Sequence, residues 1–114
     1  MEIRGEAKLL RIFVGEADHY EHETVYERIV LEARKRNLAG ATVTKGVMGF
    51  GASSRIHTAK ILRLSEDMPL IIEIADETEK IDAFIPFVKE LFAKAQSGGL
   101  ITAEKVEIIR YSGS

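Results

Sequence analysis

The run Gly49-Phe50-Gly51-Ala52-Ser53-Ser54-Arg55-Ile56-His57 holds residue types that the recognition of an anion requires. Glycines on either side of Phe50 open backbone angles closed to other residues. Ala52, Ser53 and Ser54 then offer small side chains, hydroxyls and accessible backbone N–H groups. Arg55 and His57 add a fixed cation and an imidazole a few positions on. Small residues let the backbone approach phosphate oxygens, and a guanidinium pairs with them in a fork geometry. The run is therefore expected to be a phosphate-binding loop with Arg55 as its ion-pairing residue.

Charge along the chain points the same way. The sequence carries 18 acidic and 16 basic residues, yet none of the acids lies between Glu32 and Glu66. Arg34, Lys35, Arg36, Lys45, Arg55, Lys60 and Arg63 occupy that interval. A locally positive stretch in a slightly acidic chain favours an anionic ligand. For Arg34 to Arg36 a second reading stands beside this one, in which they complement the C-terminus of a helix.

Other chemistries have less behind them. Ser53 or Ser54 near His57 is the one nucleophile-and-base pairing, but no third orienting group accompanies it and no strand-turn-helix elbow surrounds it, so a non-enzymatic role is expected. His19 and His22 lie three apart in an acidic segment with no further ligand, which argues for surface residues over a metal site. Nucleic-acid binding is disfavoured by the net charge of −2 and by the lack of aromatics among the cations beyond Phe50.

At 114 residues the chain is expected to form one domain. The absence of cysteine excludes disulfides and thiolate chemistry. A polar N-terminus and the lack of a long apolar run lead to a cytoplasmic expectation. Asn37 and Gln96 are the sole side-chain amides, a composition that leans toward a heat-adapted source.

The elements that must position the loop follow from periodicity. Ala7 to Val14 reads as a strand, with Leu10, Ile12 and Val14 on one face and Leu9, Arg11 and Phe13 on the other. Thr24 and Glu27 form a capping box, and Val25, Ile29, Val30 and Ala33 recur at helical spacing behind it until Asn37 to Gly40 stops the helix. Ala41 to Met48 alternates as a strand that loses its character at Gly49. Ala59 to Leu64 is again strand-like, Ser65 to Pro69 is a turn, with Pro69 marking a bend or an edge, and Leu70 to Ala75 is a further strand. Asp76 to Glu79 is expected to cap a second helix carrying Ile81, Phe84, Ile85, Val88, Phe92 and Ala95. Pro86 inside it predicts a kink or a later effective start. Ser97-Gly98-Gly99 is read as its terminator, Thr102 to Lys105 as a turn, and Val106 to Tyr111 as the last strand.

Strand, helix, strand, strand, helix, strand predicts an α+β ferredoxin-like sandwich, an antiparallel four-stranded sheet with both helices on one face. Alternation places Phe13, Ile71, Ile109 and Tyr111 on the other face. That apolar surface predicts an oligomer.

The residues also carry a family resemblance. Gly40 to Thr44, Gly49-Phe50-Gly51, Ile72-Glu73-Ile74 and the stretch from Ser97-Gly98-Gly99-Leu100 to Lys105-Val106 resemble the PII signalling proteins. The unbroken string from Gly49 to Lys60, followed by the Ser65 to Pro69 turn, is similar to the PII-like family called domain of unknown function 190. The resemblance implies a homotrimer whose sheets line a central channel, adenine nucleotides in the clefts between subunits, and a signalling role for a mobile loop. A membrane transporter or channel is the kind of partner it implies. Carried over, Thr42 and the Gly49 and Gly51 backbones would border the nucleotide, Leu70, Ile71 and Ile72 would lie near the base, and Gly98, Gly99 and Lys105 would come from a facing hinge. Phe50, Ala52, Ser53, Ser54, Arg55 and His57 complete the loop. The chain departs from the PII pattern at Ile101 to Lys105, which has fewer glycines, at Ala52, where PII has a basic residue, and after Arg110, where PII has further arginines. An AMP- or ADP-sized ligand, AMP first, therefore fits better than a triphosphate. The alternative is a trimeric scaffold that regulates a partner and binds no small molecule.

Overall fold

A computed structural model describes residues 2–50, 56–58 and 68–112. The chain begins with strand β1, Glu2–Gly15, and a short pair of strands, β2 at His19–Tyr20 and β3 at Glu23–Thr24. Helix α1 spans Val25–Lys35. Strand β4, Thr42–Lys45, leads into β5, Met48–Phe50, which pairs with β6, Ile56–Thr58. Strand β7, Pro69–Glu77, helix α2, Thr78–Ala95, and strand β8, Leu100–Ser112, complete the fold.

β4, β7, β1 and β8 form a four-stranded antiparallel sheet in that spatial order. The two-residue period of a strand sets its faces. Leu10, Ile12 and Val14 lie opposite Ile74, Ile72 and Leu70, and all six side chains are buried. Val25, Ile29 and Ala33 of α1 and Ile81, Phe84, Val88, Leu91 and Phe92 of α2 close over them in one cluster. Burying each large side chain contributes about 1.5–3 kcal/mol before conformational entropy is counted, so this face holds the domain together. The arrangement is the ferredoxin-like α+β sandwich expected from the order of elements. No helix among the described residues is long and apolar enough to cross a membrane.

The helix ends show local chemistry. Thr24 caps α1 by accepting from the Glu27 amide at 3.4 Å, and its hydroxyl donates to the Glu27 carboxylate at 2.6 Å, a variant of the expected capping box. α1 closes with Asn37 at φ 60°, and the Leu38 amide reaches back to the Ala33 carbonyl at 3.0 Å. α2 starts at Thr78 and runs unbroken through Pro86, so the helix does not begin late. The missing amide of the exposed Pro86 is outweighed by the buried stripe on the opposite side. Its C-terminus is set by Gln96 at φ 53°, ahead of the glycines. The expected cap at its start is also different: Glu77 occupies the cap position without a side-chain bond. Asp76, fully buried, accepts instead from the amides of Ala39 at 2.9 Å and Glu77 at 2.6 Å.

Three strand expectations change. Pro69 opens an interior strand, and its carbonyl accepts from the Gly46 amide at 2.7 Å; only the donor is forfeited, and the first position of a strand tolerates that. Thr102 to Lys105 is no turn: β8 is continuous from Leu100, with Thr102 opposite Arg11 and Glu104 opposite Leu9. β1 begins at Glu2, with a register shift beside Gly5 at φ 94°. The Ala59 to Leu64 strand and the turn at Ser65 lie mostly outside the described residues.

The second sheet face is mixed. Phe13 lies opposite Ile71 and Leu100 in an apolar row. In the next row, Arg11 donates to Glu73 at 2.8 Å and bonds Glu104. These carboxylates, Glu73 first, raise the Arg11 pKa above the usual arginine value and keep its charge in place. Tyr111 does not join that row: its register partner Ile3 is buried, and its hydroxyl donates to the Ala39 carbonyl at 2.6 Å. Ile109 lies within the register shift, between the pairs Gly5–Ile108 and Ile3–Tyr111, and is 74% exposed.

Asp76 holds the connection after α1 to the start of α2, so Asp76→Ala leaves its amide donors without a partner. We expect a loss of about 2–4 kcal/mol in urea unfolding, with a smaller loss for Asp76→Asn, which keeps one acceptor oxygen. Equal stability of Asp76→Ala and wild type would contradict this assignment.

Candidate functional site

β4 and β8 are the two edges of the sheet, and the predicted site residues divide between them. Thr42 is exposed on β4, opposite Glu73. Gly49 lies on β5 directly across from His57 on β6, and Phe50 pairs with Ile56, so Gly49 and Phe50 keep strand pairing where loss of strand character was expected. Gly51, Ala52, Ser53, Ser54 and Arg55 lie outside the described residues. On the other edge, Gly98 is exposed between α2 and β8, and Lys105 is exposed on β8 opposite Lys8.

Gly46 and Gly49 on one side and Gly98 and Gly99 on the other share one end of the sheet, while Lys105 lies further along β8, opposite Lys8 in the middle of β1. Thr44, Ile71, Phe13 and Leu100 form a continuous cross-strand row, and just beyond it come Gly46 and Pro69 on one side and Gly99 on the other. Three inter-strand steps separate β4 from β8, roughly 14 Å at the usual spacing. Thr42 and the Gly98 to Lys105 segment therefore do not meet within one chain.

Leu70 and Ile72 are core residues whose side chains are 4% and 0% exposed on the helix face, so only their backbone or the intervening Ile71 can face a ligand. Gly99 has a structural duty as well. An added Cβ would lie 2.5 Å from the Phe13 carbonyl oxygen and 2.5 Å from the Phe92 ring. Only glycine lets β8 start this close to β1 and α2.

Part of the cationic interval is neutralised in space. Lys45 pairs with Glu16 at 3.1 Å, and Arg36 pairs with Glu32 at 2.8 Å while lying over the rings of Phe84 and Phe87. A stretch free of acids in sequence is not free of them after folding. The segment with His19 and His22 forms the β2–β3 pair. With Glu16, Glu21, Glu23, Tyr26 and Lys45 it lines an open depression of about 580 Å³. Among the described residues no histidine and carboxylate group has metal-holding geometry.

A family model described as DUF190, Uncharacterized ACR, matches residues 7–108. The chain belongs to the DUF190 family. A UPF0166 protein of Aquifex aeolicus is 38% identical over 102 residues, covering 90% of this chain and 92% of that protein. A UPF0166 protein of Methanocaldococcus jannaschii is 35% identical over 96 residues, covering 84% and 85%. Among solved structures, CPII, a nitrogen regulatory PII-like protein from Thiomonas intermedia K12 described as bound to ADP, AMP and bicarbonate, superposes with a TM-score of 0.64 at 14% identity, covering 95% of this chain and 91% of that one. A putative PII-like signaling protein from Thermus thermophilus gives 0.57 at 14% identity over 92% and 91%. The DUF190 chain thus has a PII-like fold.

The connection between α2 and β8 is held by a contact that no sequence motif announces. Ser97 donates to Asp18 at 2.8 Å, and the same Asp18 oxygen accepts from the Gly15 amide at 3.2 Å. An aspartate three residues after Gly15 was a turn signal; its partner 79 residues away was not visible.

Gly99→Ala should lower stability by about 1–3 kcal/mol through overpacking, whereas Gly40→Ala, with no atom within 4 Å of the new Cβ, should change little. Urea midpoints of ligand-free protein test this; equal midpoints would remove the structural role assigned to Gly99.

Proposed function

We propose that the protein is a PII-like regulator that binds an adenine nucleotide, AMP- or ADP-sized, in clefts between the subunits of a homotrimer. The observation that carries this reading is the division of the predicted site between β4 and β8, the two opposite edges of the sheet. A cyclic assembly brings the β4 edge of one copy to the β8 edge of the next and completes the site. The apolar row Phe13, Ile71 and Leu100 gives such an assembly a surface to bury. The nucleotides named for CPII, which has the same fold, support the ligand class.

In this reading Thr42 and the Gly49 to Arg55 segment hold the phosphate side, with Arg55 as the cation. Gly98, Gly99 and Lys105 of the neighbour close the cleft. Val47 and Met48, at the base of the β5–β6 hairpin, are 82% and 63% exposed and offer an apolar surface to a protein target, of which a membrane transporter or channel is one kind.

Light scattering should give three times the mass of one chain. Calorimetric titration of that trimer with AMP, ADP, ATP and cyclic AMP should show binding strongest for AMP or ADP. A charge-assisted contact is worth about 1.5–3 kcal/mol, so Arg55→Ala should weaken affinity roughly ten- to a hundredfold. Arg34→Ala should leave it unchanged, and equal losses would reduce the effect to a diffuse field. A folded trimer that binds none of these nucleotides below millimolar concentration would favour the scaffold role.

A further inference from the structure

The turn from Glu16 to Asp18 touches both edges of the sheet at the end where the site residues gather. On the β8 side, the Asp18 carboxylate accepts from the Ser97 hydroxyl at 2.8 Å and from the Gly15 amide at 3.2 Å. The Asp18 carbonyl accepts from the Val25 amide at 2.8 Å, which fixes the turn against the start of α1. Ser97 is held a second time by its own amide, which donates to the Phe92 carbonyl at 3.0 Å. The next residues are Gly98 and Gly99, the latter wedged against Phe13 and Phe92. On the β4 side, the Glu16 carboxylate meets Lys45 at 3.1 Å, and the Glu16 amide donates to the Met68 carbonyl at 2.8 Å. Met68 precedes Pro69, whose carbonyl takes the Gly46 amide at 2.7 Å.

We infer that Asp18 is a positioning residue of the ligand site: through Ser97 it pre-forms the Gly98–Gly99 connection, while Glu16 in the same turn does so for the Lys45–Gly46 base of the hairpin. The physical reason is entropic. A glycine pair loses more backbone freedom on ordering than any other pair, and a ligand that uses it must supply that cost unless the fold has already done so. Ser97 and Asp18 are both half-buried, and a charge-assisted bond between them fixes the residue next to Gly98. Neither is proposed to touch the ligand.

The inference rests on the nucleotide reading, and one set of measurements separates the two. Calorimetry with AMP and ADP on wild-type trimer, Ser97→Ala, Ser97→Thr and Asp18→Ala is paired with amide hydrogen exchange at Gly98 and Gly99 in the ligand-free proteins. Ser97→Ala should weaken binding about tenfold, the equivalent of ordering roughly one backbone residue, and speed exchange at both glycines with the trimer intact. Ser97→Thr, which keeps the hydroxyl, should restore affinity and protection, a rescue that general destabilisation would not give. Asp18→Ala should match Ser97→Ala, and any excess loss of stability in that variant leaves the Ser97 comparison to decide. Wild-type binding with unchanged affinity in Ser97→Ala overturns the positioning role and spares the nucleotide reading. Failure of wild type to bind overturns both.

Discussion

The backbone of β1 has to satisfy its donors and acceptors on both sides, and it does so with β7 on one side and β8 on the other. This pairing fixes the rest. With β1 and β7 in the centre, Leu10, Ile12, Leu70, Ile72 and Ile74 form the floor of the core, and the helices have one surface on which to settle. With β4 and β8 at the margins, residues that the sequence brings into one functional pattern are placed on opposite edges. A site that uses both cannot be closed by the monomer, so assembly and ligand binding become parts of one problem.

Much of the architecture was legible because its signals are local. The Thr24 cap, the stripe through Ile81, Phe84 and Val88, and the alternation of Leu70 to Ala75 each lie within a few residues, and the structure keeps them. Pro86 does not delay α2, which starts at Thr78, because the buried apolar stripe outweighs the one amide lost on the exposed face. Thr102 to Lys105 has the polar composition of a turn, but its charged residues belong to an edge strand whose support is distant. Glu104 finds Arg11 and Thr102 lies opposite it, both set by pairing with the start of the chain. The end of α2 falls where the sequence puts it, but its left-handed cap is Gln96, in the position usually given to glycine, while Gly99 is needed for close packing.

The candidate site was legible in its residue types and less so in its electrostatics. Lys45 and Arg36 look like free cations along the sequence, but folding supplies Glu16 and Glu32 to them. Arg55 therefore matters more to anion recognition in the proposed function than the whole interval does. Leu70 and Ile72 read as base-side residues from resemblance, and strand parity turns their side chains into the core. Asp18 and Ser97 illustrate the opposite error, a supporting contact between segments that no motif connects.

Subunit complementation tests the shared cleft most directly. Arg55→Ala impairs the β4 side of a cleft and Lys105→Ala the β8 side, and each variant trimer alone should bind AMP or ADP weakly. After unfolding and joint refolding of equal amounts, about a quarter of the clefts in randomly mixed cyclic trimers join an intact β4 side to an intact β8 side. Calorimetry should then recover that fraction of sites at wild-type affinity. Mixed trimers that bind no better than either parent would contradict a site divided between neighbouring subunits.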